Sequence, residues 1–171
     1  MDIILKKYSD EYERETIVRI AKFFELHMSW LNNDGAIEEI EYNTAKNDLQ
    51  NWITEEDSEL YLIFDQDKCV GFLRIGYRGK EVAWIEDIFV DEECRNKGIA
   101  TESIRQAEKL IAQNPQYTAV CFDVVPRNKE ALKLYYKLGY DRLSIVTVRK
   151  ELGHKEDGLI HENFLGYDFM F

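Results

Sequence analysis

A chain of 171 residues with 45% hydrophobic and 32% charged residues is long enough to close one core without disulfides or metals as staples, so a single domain over residues 1–171 is expected. Its net charge of −11 repels nucleic-acid phosphates and argues against a nucleic-acid footprint; it suits a cationic partner such as an amine, or simply keeps the chain dissolved. No apolar run reaches bilayer length, Met1 to Leu5 lacks the features of a secretion signal, and Cys69, Cys94 and Cys121 show no CxxC spacing, so no membrane and a reducing cytoplasm are expected.

Residues 2–8 read as a short strand. From Asp10 onward, Ile17, Ile20, Phe24 and Met28 fall on one helical stripe, which Asn32-Asn33-Asp34-Gly35 breaks. A second helix is expected from Thr44, a capping residue type, to Ile53, burying Leu49 with Trp52 and Ile53. The period then changes. Leu60 to Phe64, Cys69 to Tyr77 and Glu81 to Val90 read as strands joined by the turns Asp65–Lys68 and Arg78–Lys80, an antiparallel meander.

A helix from Gly98 to Gln113 follows, with Ala100, Ile104, Ala107 and Ile111 facing inward and Asn114-Pro115 ending it. Tyr117 to Val125 comes after a strand and a helix, so it should lie parallel beside Glu81–Val90. Asn128 to Leu138 reads as a helix closed by Gly139. Arg142 to Leu152 and Phe164 to Phe171 read as two last strands joined by the polar loop His154 to His161. The class is α/β in an α+β layout: a mixed, mostly antiparallel sheet with one parallel strand pair, flanked by about four helices.

The most informative stretch is Val90-Asp91-Glu92-Glu93-Cys94-Arg95-Asn96-Lys97-Gly98-Ile99-Ala100. A strand ends, a short loop turns, and a helix starts at a glycine. The first N–H groups of that helix lack partners inside it, and its dipole is positive there. Gly98 has no Cβ to hold an anion off the backbone, and Arg95 and Lys97 add cations. These residues suit a pyrophosphate; the plainer alternative is a glycine that starts a helix beside two surface cations. Neither a Walker A loop nor GxGxxG is present.

Arg95-x-x-Gly98-x-Ala100 resembles the Gln/Arg-x-x-Gly-x-Gly/Ala signature of the GNAT superfamily of N-acetyltransferases, and Ile88-Phe89-Val90-Asp91 is similar to that family's lead-in. Ala100 stands where a second glycine is commoner. The resemblance implies acetyl-CoA as co-substrate, with contacts at Arg95, Asn96, Lys97, Gly98, Ile99, Ala100 and Thr101, residues 95–100 wrapping the pyrophosphate. It also implies that Ile88, Phe89 and Val90 pair their backbone with the pantetheine arm.

Asn128-Lys129-Glu130-Ala131 followed by Tyr135, Lys137 and Gly139-Tyr140 resembles the family's second signature. Asn128 reads as a helix N-cap and, by the resemblance, as a coenzyme contact; the two roles are compatible. Tyr135 lies two turns from Asn128 and shares its face, whereas Tyr136 does not. A phenol with a pKa near 10 keeps its proton at neutral pH and can give it to a departing thiolate, the role the resemblance assigns to Tyr135. A core tyrosine under the sheet is the alternative.

Acetyl transfer needs a neutral amine, so a carboxylate must take its proton. Glu86 and Asp87 interrupt an apolar strand, where acids are costly unless solvated or paired, and strand alternation sends them to opposite faces. Glu86 resembles the acid of aminoglycoside-type members and is the expected base, with Asp87 in reserve; pairing of Glu86 with an Arg or Lys is the alternative. The resemblance puts the acceptor between roughly Phe24–Tyr42 and His154–Phe164, where Glu38, Glu39, Glu41, Glu156, Asp157 and Glu162 accompany Trp30, Tyr42 and Phe164. Acids with aromatics suit an ammonium.

His27, His154 and His161 have no metal-ligand spacing, so no metal is expected, and Cys121 reads as a small buried residue. The expected function is acetyl transfer from acetyl-CoA to a primary amine of a small cationic molecule, aminoglycoside- or polyamine-like. A peptide amine as acceptor, or a coenzyme A-binding regulatory module without catalysis, are the rivals. The apolar segment Phe164 to Phe171 could add a strand to a second copy, leaving a homodimer open.

Overall fold

The computed structural model describes residues 2–31, 39–150, 152–153 and 161–170. Two compact units emerge, one from Met1–Glu25 and Glu39–Asp123, the other from Leu26–Glu38 and Val124–Phe171.

The first unit is built on a five-stranded sheet in the order β1 (Ile3–Lys7), β2 (Ser58–Asp65), β3 (Lys68–Gly76), β4 (Val82–Val90) and β5 (Ala119–Cys121). All neighbours are antiparallel except β4 and β5, the expected parallel pair. Residues 13–25 of α1 (Glu13–Leu31) and α2 (Tyr42–Thr54) contribute Ile17, Ile20, Leu49 and Trp52 to a core with Leu60, Leu62, Phe64, Phe72 and Phe89. Each such side chain, fully buried, contributes about 1.5–3 kcal/mol. α3 (Ile99–Ile111) buries Ile99, Ser103, Ile104, Ala107 and Ile111. Its Gln106 donates to the carbonyl of Ile3 at 2.6 Å and accepts from the N–H of Leu5 at 3.1 Å, which satisfies part of the β1 edge.

The second unit contains α4 (Lys129–Leu138) and the hairpin β6 (His161–Phe164) and β7 (Tyr167–Met170). Asn128 caps α4 by accepting from the N–H of Ala131 at 3.1 Å, and Gly139 ends it at φ 97°.

Several elements depart from the sequence expectation. α2 starts at Tyr42 with Glu41 as N-cap, so Thr44 lies inside its first turn, and Ile53 is exposed. On α3 it is Ile99 that is buried, while Ala100 lies half-buried one position on. β5 pairs only through Cys121 and not to Val125, because β4 bulges just beyond Trp84 and turns its edge away.

Residues 142–150 form no strand: they find no partner ladder among the described residues, and Leu143, Ile145 and Val148 stay exposed. The single strand expected over Phe164–Phe171 is instead folded at Leu165 and Gly166, both at positive φ, into the tight turn that suits a two-residue hairpin. The Asn32–Gly35 break, Glu38, the loop residues 154–160 and Phe171 lie outside the described residues.

Candidate active site

β4 carries the site. Its first third, Val82–Trp84, is paired with β5, and Trp84 is paired with β3 as well. From Ile85 to Val90 only β3 remains beside it, so one edge of the strand, including Ile88, Phe89 and Val90, has no neighbour strand among the described residues. An extended ligand could pair there as an added strand.

The loop after β4 starts with one 3-10 turn, Glu92–Cys94, and buried Cys94 anchors it. Asn96 and Gly98 both take positive φ, 60° and 82°, which turns the chain sharply into α3. The first amide of this stretch that finds a backbone carbonyl is Glu102, bonded to Gly98. Among the described residues the N–H groups from Asn96 through Thr101 are not engaged by any carbonyl, and Asn96, Lys97 and Gly98 are exposed. A recess of about 390 Å³ borders Gly98 and Thr101. Unengaged donors at the positive end of a helix are what an anion requires.

The two cations expected to face that anion are spent on the loop itself. Arg95 donates from Nε to the carbonyl of Val90 at 3.0 Å and lies over the Phe89 ring, and Lys97 donates to the carbonyl of Glu93 at 2.8 Å. Their shown work is to hold the turn in shape. Asp91, at the start of the loop, is held by Arg19 of α1 through Nε and one terminal nitrogen (2.9 Å), and the same guanidinium reaches the carbonyl of Cys69 at 2.8 Å. The side chains of both partners are only 12% and 11% exposed. Sequence reasoning missed this pair, because Arg19 sits beside a buried stripe with no mark to separate it from a surface arginine.

The strand acids also lie otherwise than alternation predicts. Arg74 lies opposite Asp87, but Ile75 lies opposite Ile85, so Glu86 is the extra residue of a β-bulge. The bulge breaks alternation. Glu86 and Asp87 therefore lie on the same side, the one that carries Arg74 and Gly76, and not on opposite faces. A Cβ at Gly76 would collide with the Glu86 carboxylate, so a glycine there is what makes room for the acid.

Asp87 receives Arg74 Nε at 2.6 Å, while Arg74 also reaches Glu55 at 3.1 Å and stacks over Trp52. Glu86 meets Arg78 Nε at 3.1 Å, so the pairing alternative is realised as well. A recess of about 290 Å³, lined by Glu55, Asp57, Arg74, Gly76 and Arg78 among others, opens onto Glu86. Burial pushes the Glu86 carboxyl above its ordinary range, against the pull of Arg78 and Arg74 and with help from the charges of Asp87 and Asp123. A carboxyl lifted in this way is a stronger proton acceptor once ionised. Asp87 opposite Arg74 was a readable cross-strand signal; the bulge was not.

In the second unit, Tyr135 is half-buried with its ring edge-on to Tyr140 at 6.3 Å, whereas Tyr136 is 72% exposed. The helix thus turns Tyr135 inward, as the spacing from Asn128 required. Of the expected acceptor residues, Glu162 pairs with Lys129 at 2.9 Å and the carbonyl of Trp30 accepts from Arg127 at 3.3 Å. Glu38, His154, Glu156 and Asp157 lie outside the described residues. Among the described residues, no group of three or more His, Cys, Asp or Glu could hold a metal, and no helix is long and apolar enough to cross a membrane.

The anion-ready helix start, the half-open strand and the Asn–Tyr helix follow one another in a span that matches a known family. The family model for acetyltransferases of the GNAT type matches residues 20–140. The chain belongs to the GNAT acetyltransferase family. Membership makes it an acyltransferase enzyme, and the mixed sheet with one parallel pair and four helices is the GNAT fold.

No curated protein sequence matches this GNAT chain. Solved structures share its fold at low identity. The aminoglycoside N-acetyltransferase AAC(6')-Iy, solved with a bisubstrate analogue of coenzyme A, has a TM-score of 0.67 at 14% identity over 88% of this chain and 99% of its own. An aminoglycoside acetyltransferase from an uncultured soil metagenomic sample has a TM-score of 0.60 at 15% identity over 88% and 97%. A transcriptional regulator from Bacillus halodurans C-125 has a TM-score of 0.65 at 15% identity over 88% and 100%.

Proposed function

We propose that this GNAT enzyme moves an acetyl group from acetyl-CoA to a primary amine of a small cationic molecule, by direct attack in a ternary complex. The observation that carries the reading is the open edge of β4 running into the unengaged amides from Asn96 to Thr101. An arm with amides along its length and a pyrophosphate at its end matches both parts. Ile88, Phe89 and Val90 would pair with the arm, while Arg95, Asn96, Lys97, Gly98, Ile99, Ala100 and Thr101 form the pyrophosphate turn with backbone donors. Asn128 would add a contact from the start of α4.

In this reading Glu86, directly or through a water, takes the proton of the acceptor ammonium. The neutral nitrogen then bonds to the thioester carbonyl carbon, the carbon–sulfur bond breaks, Tyr135 gives its proton to the departing sulfur, and the extra proton left on the nitrogen passes through water to restore the phenol. Arg74 holds Asp87 tightly, which favours Glu86 over Asp87 as base. The acidic recess at Glu86 and the net charge of −11 favour a cationic acceptor, and the aminoglycoside acetyltransferases that share the fold make aminoglycosides the first class to try. Three free cysteines suit a cytoplasmic setting.

The test is release of free thiol from acetyl-CoA by the purified chain over a panel of aminoglycosides, polyamines and peptide amines. Turnover only on peptides would move the acceptor class. Calorimetric binding of coenzyme A with no turnover on any amine would make the protein a regulatory binder instead. Tyr135→Phe is expected to lower kcat by about 10²-fold or more at pH 7 with little change in the KM of acetyl-CoA. An unchanged rate at neutral and alkaline pH would remove Tyr135 from the chemistry.

A further inference from the structure

Two arginines meet the two strand acids, and they are not equivalent. Arg74 is 16% exposed, lies between Asp87 and Glu55 and stacks on Trp52. Arg78 lies beyond the end of β3, is 49% exposed, and has three holders: Glu86 at 3.1 Å, Asp123 at 2.6 Å, and the ring of Trp84 at 4.5 Å. Of its two carboxylate holders, Glu86 is 16% exposed and Asp123 77%.

We infer that Arg78 is a resident counter-ion of Glu86 that the acceptor's ammonium must displace, so that Arg78 and Asp123 together set how tightly a cationic acceptor binds. This rests on the reading of Glu86 as the group that meets the amine. While Arg78 sits on Glu86 the carboxylate is neutralised and offers a second cation no free charge. When Arg78 lets go of Glu86 it keeps its shorter bond to Asp123 and its stacking on Trp84. Displacement therefore forfeits one half-exposed ion pair, a small loss that an incoming ammonium replaces in kind. A neutral ligand replaces nothing, so the device selects for charge.

The other charged groups around Glu86 are fixed or distant in role. Arg74 and Asp87 neutralise each other, and Glu55, Glu56 and Asp57 at the end of α2 line the recess with further negative charge. Arg78 is the exchangeable cation among them. Asp123 is the place to which it retreats.

The test is calorimetric titration of spermidine into the full chain saturated with coenzyme A, at pH 7, with wild type, Arg78→Met, Arg78→Lys, Asp123→Asn, Glu86→Gln and the double variant Arg78→Met with Glu86→Gln. Arg78→Met is expected to tighten spermidine about fivefold, the scale of one exposed ion pair, and Arg78→Lys to restore the wild-type affinity. Asp123→Asn should weaken spermidine, because Arg78 then belongs to Glu86 alone. The Arg78→Met gain should vanish in the Glu86→Gln background, and the KM of acetyl-CoA should stay unchanged.

Unchanged or weaker spermidine binding by a folded Arg78→Met chain overturns the inference while leaving thiol release intact as evidence of transfer. The same tightening in the Glu86→Gln background overturns it too, as does an absence of spermidine binding by every form. If no amine is acetylated yet Arg78→Met tightens spermidine through Glu86, the transfer reading fails and the counter-ion assignment stands.

Discussion

Glu86→Gln is expected to lower kcat/KM for the acetylated amine by about 10²–10⁴-fold, the usual worth of a positioned base, and to make the protein more stable at pH 7. Both effects have one origin. Glu86 is the extra residue of the β4 bulge, held against the sheet at 16% side-chain exposure, and burial raises its pKa above that of the unfolded chain despite Arg78 and Arg74. A folded-state pKa that is raised gives stability that is full below the unfolded value of about 4.3 and is lost as pH climbs through the raised value. At pH 7 the folded protein thus carries an ionised acid that it would hold more cheaply as neutral. Glutamine keeps the shape and is neutral at every pH. Calorimetric melting should show the variant ahead of wild type at pH 7 and level with it near pH 3. A variant that keeps the wild-type rate would take Glu86 out of the reaction, whatever its melting point.

Asp91→Ala is expected to cost about 3–5 kcal/mol of folding stability, the range for breaking a buried ion pair on one side. Against a total of about 5–15 kcal/mol for a protein of ordinary stability, that is a large share. The loss comes from what stays behind: Arg19, 12% exposed, keeps its charge beside the carbonyl of Cys69 with only the exposed carboxylate of Glu15, at 3.4 Å, to answer it. Arg19→Met in the same chain should recover part of the loss, since two neutral groups leave nothing uncompensated. Asp91 also opens the loop whose amides face the recess at Gly98, and its carbonyl accepts from Cys94 at 2.8 Å. The KM of acetyl-CoA should therefore rise in the single variant more than kcat falls. Urea unfolding of the two single variants and the double closes the cycle; a loss below about 1 kcal/mol for Asp91→Ala would mean that water replaces the carboxylate without cost.

The meander, the parallel pair and the two signature helices could be read from sequence, because each has a strong short-range cause: an alternating pattern, a tight turn, a capping asparagine, a closing glycine. The start of α3 was legible for the same reason, with Gly98 at the left-handed position the turn demands. What failed were features decided by partners far along the chain. The alternation that puts Glu86 and Asp87 on opposite faces holds only in an unbroken ladder, and the bulge is created by the register of β3, not by the residues of β4. The cations Arg95 and Lys97 look ready for a phosphate in sequence, but nearby carbonyls claim them first. The alternating pattern of residues 142–150 needs a neighbouring strand to become one, and no pattern within a segment can supply its neighbour.

The three-residue contact between β4 and β5 has a kinetic side. β2, β3 and β4 follow each other through short turns, so their ladder closes with little loss of chain entropy, while β5 can reach β4 only after α3 has formed and crossed. Assembly should then finish where the ladder is shortest, and opening should begin there. The amides of Ala119 to Cys121 are expected to exchange with solvent through small openings that leave Phe72 and its neighbours packed, while the amides of β3 exchange only on global unfolding. Hydrogen exchange resolved by residue would separate the two; equal protection across both strands would mean that the sheet opens as one piece. The short parallel pair is, on this account, the last part of the sheet to form and the first to loosen.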